Sequence, residues 1–259
     1  MKRYFSVLLA VGLAVPAHAY DFGSLKDQLK GVLIPSEGSS STTTQTSTTK
    51  SAIDNLTPAE MNGGLKEALT KGAEAAVAQL GKENGFWSDP KLRIPLPDNL
   101  QKVSKLMKNL GMGKQVEALE LGMNRAAEAA VPEAKNLLAG AVKEMSVEDA
   151  KGILTGGNTA ATDFFRKKTE SALAQKFLPI VKGTTDKVGL AQTYNTYAGT
   201  AARFGAIKGD QATIESYVSK QGLDRLYKVI GEQEQAFRAN PLQSGSDLIK
   251  KVFGSLLGK

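Results

Sequence analysis

Two charges fall where helical spacing calls for apolar side chains, and both could do chemistry. Glu234 lies between Ile230 and Phe237 on the inward face of its stripe, with Arg238 four residues on. Lys168 shares a face with Ala161, Phe165 and Ala172. Burial disfavours the charged form, so such a group must pair or let its pKa drift toward neutrality, where a proton-transfer catalyst works. The structural alternatives are a Glu234–Arg238 salt bridge at the core margin and a lysine that reaches outward to water.

Two further clusters could hold a ligand. In Thr155-Gly156-Gly157-Asn158-Thr159, a glycine pair precedes a helix start whose free N–H groups and positive dipole end suit an anion, with Lys151 and Arg166 able to lend charge. The same letters also spell an ordinary C-cap followed by an N-cap. Asn124, Arg125 and Glu128 concentrate polar groups within one helical turn, Asn124 and Glu128 on the flank of an apolar stripe and Arg125 pointing away. They suit interhelical hydrogen bonds or a ligand clamp.

Other chemistry is absent from the residue inventory. The chain of 259 residues has no cysteine and one histidine, His18. Thiolate zinc sites, iron–sulfur clusters and cysteine nucleophiles are therefore excluded. Lys2 and Arg3, an apolar run from Phe5 to Val15, and Ala17-His18-Ala19 as a small-x-small cleavage site predict a secretory signal over residues 1–19. No cysteine follows for lipid attachment and no arginine pair precedes. The expected location is the periplasm, reached unfolded and without a preloaded cofactor. Cleavage would remove His18, and with it any Ser-His-Asp relay and any imidazole for a transition metal. Carboxylates, lysines, tyrosines and hydroxyls remain.

The signal takes two of 33 basic residues and none of 26 acidic ones, leaving 31 against 26, a net +5. Bases and acids are interspersed, so neither the charge pattern nor an exported location suits nucleic acid.

The elements that must position these groups are helices. Residues 20–35 form a short amphipathic segment and 36–51 a Ser/Thr-rich flexible linker without apolar residues; a helical domain fills 52–259. Thr57-Pro58-Ala59-Glu60 is a capping box that opens a helix ending at Gly81, with Met61, Leu65, Leu69, Ala76 and Leu80 in stripe. Phe86 to Pro97 contains three prolines and should be extended, a strap across helices. Asp98 should cap the next helix, Gly111-Met112-Gly113 should turn it, and Lys114 to Ala130 should follow. Further helices are expected from Pro132 to Met145, from the Ser146-Val147-Glu148-Asp149 cap to Gly156, and from Thr159 to Phe177. Pro179 should restart one, a stripe through Leu190, Tyr194, Tyr197 and Ala201 marks another, and the last two span roughly 211–239 and 246–257. No period-two alternation competes. The fold class is all-α: a single compact multi-helix bundle with short loops and one Pro-rich strap.

The end, 246–259 (SDLIKKVFGSLLGK), is basic and amphipathic, suited to docking on the bundle or lying on an anionic lipid surface. Thr169-Glu170-Ser171 is similar to the Glu-Ser of helical peptidoglycan glycosidases, but the downstream Gly-Leu-Met-Gln is missing and Glu170 falls on an outer face.

The phrases GLKEAL (64–69), IPLP (94–97), NRAAE (124–128), EDAKGILTGG (148–157), Phe165-Arg166 and Val252-Phe253-Gly254 stand in the order of an uncharacterised family of exported bacterial proteins. The chain resembles that domain of unknown function, numbered 4197, from about 57 to 254. The resemblance implies a helical fold and a Gram-negative periplasm, and brings no activity, cofactor or catalytic residue. The expectation for function is a non-catalytic binding or envelope-associated module. The alternatives are a carrier of a lipid or other small amphiphile in a cleft lined by Phe164, Phe165, Tyr194 and Tyr197, and a hydrolase built on Glu234 or Lys168.

Overall fold

Both capping boxes form. Thr57 accepts from the Glu60 N–H while Glu60 accepts from the Thr57 N–H, and Ser146 and Asp149 do the same. The computed structural model describes residues 56–187, 191–192, 194–195 and 213–257, with the side chains of Asn99, Lys102 and Val103 set aside. All lie in one compact unit, Thr43–Lys259. The signal expected at 1–19, the segment 20–35, the linker 36–51 and the stripe residues Leu190, Tyr197 and Ala201 lie outside the described residues.

In chain order the elements are α1 (Pro58–Leu80), α2 (Asp98–Asn109), α3 (Gly113–Ala130), a 3-10 turn (Val131–Glu133), α4 (Ala134–Lys143), α5 (Val147–Thr155), α6 (Ala160–Thr185), α7 (Ile214–Ala239), a 3-10 turn (Pro241–Ser244) and α8 (Asp247–Leu256). Among the described residues there is no strand, and the chain is an all-α bundle. Helices α6 and α7 pack along each other, with α1 and α3 against them. The pairs Thr162–Glu234, Thr169–Tyr227 and Thr185–Glu215 run in opposite order, so α6 and α7 are antiparallel. Their seam buries Phe165, Leu173, Phe177, Leu223, Tyr227 and Ile230.

Three local expectations change. Pro179 does not restart a helix; it sits inside α6. It is exposed, and so is Gln175, whose carbonyl loses its i+4 donor where water can replace it, while Phe177 and Val181 stay buried. Asp98 is the first residue of α2 rather than its cap, and its carboxylate meets Gln101 instead. The strap is extended only after Leu92. Its first half folds into turns, because Asn84 takes a left-handed φ of 63° and Asp89-Pro90 opens a turn that closes at Leu92 and Arg93.

The C-terminal segment docks on the bundle. Helix α8 buries Ile249, Val252 and Phe253 against α1 and α7, so most of the apolar face offered above to a lipid surface is taken up, Leu248 staying exposed. The approach is closest at Gly64, where a Cβ would lie 2.6 Å from Val252 Cγ2 and 2.8 Å from the Leu248 carbonyl oxygen. Gly64→Ala is expected to destabilise the protein by about 1–3 kcal/mol, since backbone cannot give way. Gly63→Ala, with nothing within 4 Å of the new methyl, should instead gain about 0.5–1 kcal/mol from helix propensity. Paired urea titrations of the two variants check the contrast.

Glu60 ties α8 to the start of α1. Its carboxylate accepts from Lys251 Nζ, the Thr57 N–H at 2.9 Å and Thr57 Oγ1 at 2.8 Å, and these donors, Lys251 foremost, hold its pKa down at about 2. The unfolded chain, near the ordinary 4.5, takes up the proton first. The contribution of Glu60 is therefore whole above about pH 4.5 and disappears as pH falls toward 2. Glu60→Gln should flatten the acid limb of the stability–pH curve over that window, read from urea midpoints.

Candidate functional site

Glu234 and the glycine-led helix start meet in one place. The first-turn N–H groups of α6 have no intrahelical partner, and Thr159 at the N-cap makes no side-chain cap; its hydroxyl turns to Asp163. The Glu234 carboxylate fills that role from α7. Oε1 accepts from the Ala161 N–H at 3.0 Å and from Arg238 Nε and Nη2 at 3.1 and 2.9 Å; Oε2 accepts from the Thr162 N–H at 3.0 Å and Thr162 Oγ1 at 2.9 Å. Five donors surround one buried carboxylate. Arg238 Nη2 also donates to the Ile153 carbonyl in the last turn of α5 at 2.8 Å, so the Glu234–Arg238 pair joins three helices. The anion that the helix start attracts is supplied by the chain itself.

The glycines serve the turn. At Gly156 a Cβ would stand 2.7 Å from the Ala160 Cβ and 2.8 Å from the Gly152 carbonyl oxygen, so only glycine lets α5 pass this closely into α6. Gly157 has open space around it. Beside Glu234, a void of about 10 Å³ lies among Leu65, Ile153, Phe165 and Phe253, the room of one water molecule.

Asn124, Arg125 and Glu128 face the strap. Asn124 Oδ1 accepts from the Ile94 N–H at 2.8 Å, while Nδ2 donates to the Ile94 carbonyl at 2.9 Å and the Glu120 carbonyl at 2.8 Å. The amide thus pairs with extended backbone as a neighbouring strand would. Glu128 Oε1 accepts from the Phe86 and Trp87 N–H groups at 3.2 and 3.4 Å, and Oε2 from Arg125 Nη1 at 2.6 Å. Arg125 Nη2 extends to Glu83 and Asn84. From the other side, α7 supplies Arg225 to the Arg93 carbonyl at 3.0 Å and the Tyr217 hydroxyl to the Pro95 carbonyl at 3.0 Å. The strap is held between α3 and α7, with Phe86, Leu92, Ile94 and Leu96 buried beneath it.

Lys168 is not inward. It is exposed, its Nζ 5.9 Å from the Phe164 ring. The buried stripe of α6 continues from Phe165 through Thr169 and Leu173, one position past the row that would include the lysine. Arg166 donates to Glu170 at 2.7 Å and Asp224 at 3.1 Å, and its guanidinium lies 4.6 Å from the Tyr227 ring centroid. Burial works against the Arg166 cation, but Asp224 and Glu170 outweigh it and raise its pKa. Thr159 and Arg166 line an open cleft of about 450 Å³ between α6 and α7, together with Asp163, Asp224, Lys228 and Glu232. Its cations are neutralised locally, Arg166 by Asp224 and Lys228 by Glu232. Of the aromatic residues proposed to line a carrier cleft, Phe165 and Tyr194 are buried and Phe164 is half-buried.

Two polar anchors carried no local signal. Glu215 is buried at the start of α7 and accepts from Asn195 Nδ2 at 2.8 and 3.0 Å. Tyr217 is buried and gives its hydroxyl to the Pro95 carbonyl, and burial raises its pKa to about 12. Both lie in the stripe of α7, where charge or hydroxyl alone could mark them, and their partners are distant in sequence. Among the described residues no three acidic side chains converge on a point that could hold a cation, and no helix is long and apolar enough to cross a membrane.

Fold and site together define an all-α bundle whose buried charges tie helix ends and a proline strap into one framework. The family described as "Protein of unknown function (DUF4197)" matches residues 55–254, and the chain belongs to it. No curated protein and no solved structure matches the chain.

Proposed function

We propose that this protein is an exported, periplasmic helical module that binds through its surface and has no catalytic apparatus. The observation that supports this most is the saturation of Glu234: five donors occupy its oxygens, and the space beside it admits about one water. A general acid or base needs a lone pair or proton facing a substrate, with room for the reacting atom about 3 Å away. Glu128 and Asn124 are likewise committed to strap backbone. Export rests on Lys2 and Arg3, the apolar run and the Ala17-His18-Ala19 site.

The test uses protein recovered from the periplasm by osmotic shock. It should begin at Tyr20 and turn over neither peptidoglycan nor phospholipid. Turnover that Glu234→Gln abolishes, in a variant with a native circular dichroism spectrum, would overturn the reading. So would a protein that retains residues 1–19 in the cytosol.

A further inference from the structure

The turn between α2 and α3 combines three features. The first is exposed apolar surface that the turn itself fixes in place. Leu106 is 59% exposed, Leu110 70% and Met112 38%. Leu106 and Leu110 are four apart, so they share one side of the helix end. The second is rigidity. Gly111 takes a left-handed φ of 81°, its N–H bonds the Lys108 carbonyl at 3.1 Å, and the Met112 N–H bonds the Met107 carbonyl at 2.9 Å. This is the paired 5→2 and 6→1 closure of a helix terminated by glycine, which holds Leu110 at the apex.

The third is charge. From Asn99 to Val116 the sequence contains Lys102, Lys105, Lys108 and Lys114 and no acidic residue. Lys105, Lys108 and Lys114 are exposed, and none makes an ion pair among the described residues. The exposed leucines near the chain end differ on this point. Leu248 and Leu257 belong to the same C-terminal segment as Lys250 and Lys251, whose ammonium groups are taken by Asp247 and Glu60.

We propose that the α2–α3 turn is a docking surface for an anionic phospholipid bilayer, with Leu106, Leu110 and Met112 entering the headgroup boundary and the lysines neutralising lipid phosphates. Charge complementarity decides the occupant: an apolar tip flanked by the unpaired Lys105, Lys108 and Lys114, with Glu117 the one acid close by in sequence, suits a surface that is apolar below and anionic above. The proposal deepens the surface-binding reading and rests on it. It moves the lipid contact from α8, whose apolar face is mostly buried, to a turn whose apolar tip is exposed.

The test is co-sedimentation of the mature chain, residues 20–259, with vesicles of phosphatidylglycerol and phosphatidylethanolamine, and with neutral phosphatidylcholine vesicles. Binding is expected on the anionic vesicles alone and should weaken at high salt. Removing the three charges by Lys105→Gln, Lys108→Gln and Lys114→Gln should weaken it about 100-fold, near fivefold for each lysine at a membrane surface. Leu106→Ser with Leu110→Ser should weaken it at least about tenfold, since each leucine loses most of its buried side chain. Lys250→Gln with Lys251→Gln should change nothing. The turn side chains are exposed, so the turn variants should keep the parent's unfolding midpoint. No sedimentation with anionic vesicles, or sedimentation that the turn variants leave intact, overturns the proposal. Turn variants that alter only the self-association of the free protein overturn it in favour of a second copy. These outcomes leave the surface-binding reading standing, since that reading falls to turnover of an envelope polymer instead.

Discussion

Glu234→Ala is expected to cost about 3–5 kcal/mol of folding stability, the range for removing one partner of a buried ion pair. The loss has two physical sources. Arg238, whose side chain is 12% exposed, keeps the Ile153 carbonyl but loses its counter-charge. The Ala161 and Thr162 N–H groups lose their acceptors inside the bundle. Glu234→Gln should lose less, because one oxygen can still accept from the α6 start. Combining Glu234→Gln with Arg238→Met should recover part of the deficit, since an apolar side chain replaces a stranded cation. Urea denaturation of the parent and the three variants at pH 7 gives the comparison. A Glu234→Ala variant as stable as the parent would mean that the carboxylate is not a structural tie.

The strap gives the second large effect. Asn124→Ala removes three hydrogen bonds and strands the buried Ile94 N–H and carbonyl. At about 1–3 kcal/mol for each unsatisfied buried group, a loss of about 2–6 kcal/mol is expected. Trp87, the single tryptophan of the chain, reports on the same segment, with the Arg93 guanidinium 4.2 Å above its ring. The variant should show altered Trp87 emission and faster proteolysis between Glu83 and Pro97 well below the global unfolding midpoint. Asn124→Asp retains the acceptor for the Ile94 N–H but sets a buried carboxylate oxygen against the Ile94 and Glu120 carbonyls, so it should be at least as destabilising as alanine.

Much of this framework is legible in sequence where the determinant is local. The two capping boxes, the Gly81 and Gly156 stops and the stripes of α1, α3 and α7 depend on residues within four positions of one another, which spacing reveals. Glu234 and the Asn124–Glu128 cluster stand out for a related reason: polar groups on an apolar face signal that a partner exists. For Glu234 they signal Arg238, four residues on, but not the distant backbone that both groups bind. Glu234 binds backbone 72 and 73 positions away, and Asn124 binds backbone 30 positions away. No local rule connects such distances. Spacing alone presents the helix start after Gly157 as an anion site and Glu234 as an inward charge paired with Arg238, yet the helix start and the carboxylate complete each other.

The misread positions have the same origin. Pro179 breaks a helix by local rule, but its lost hydrogen bond falls on the solvent side while Phe177 and Val181 remain in the seam, and burial outweighs the local cost. Lys168 sits one position off the row that tertiary packing selects. Glu215, Tyr217 and Arg225 look like ordinary members of a long amphipathic helix, and only the strap and Asn195 give them work.

Amide hydrogen exchange on the native protein tests the central idea most directly. The N–H groups of Ala161 and Thr162 belong to a helix's first turn, and that of Ile94 to an irregular strap, positions that ordinarily exchange fast because no backbone carbonyl protects them. If side chains close this framework, all three amides should exchange only through global unfolding in the parent; in Glu234→Ala, Ile94 should lose protection only by the drop in global stability, while Ala161 and Thr162 should lose more than that. Exchange of these amides at the free-peptide rate in the parent protein would contradict the framework and return Glu234 to the list of groups available for chemistry.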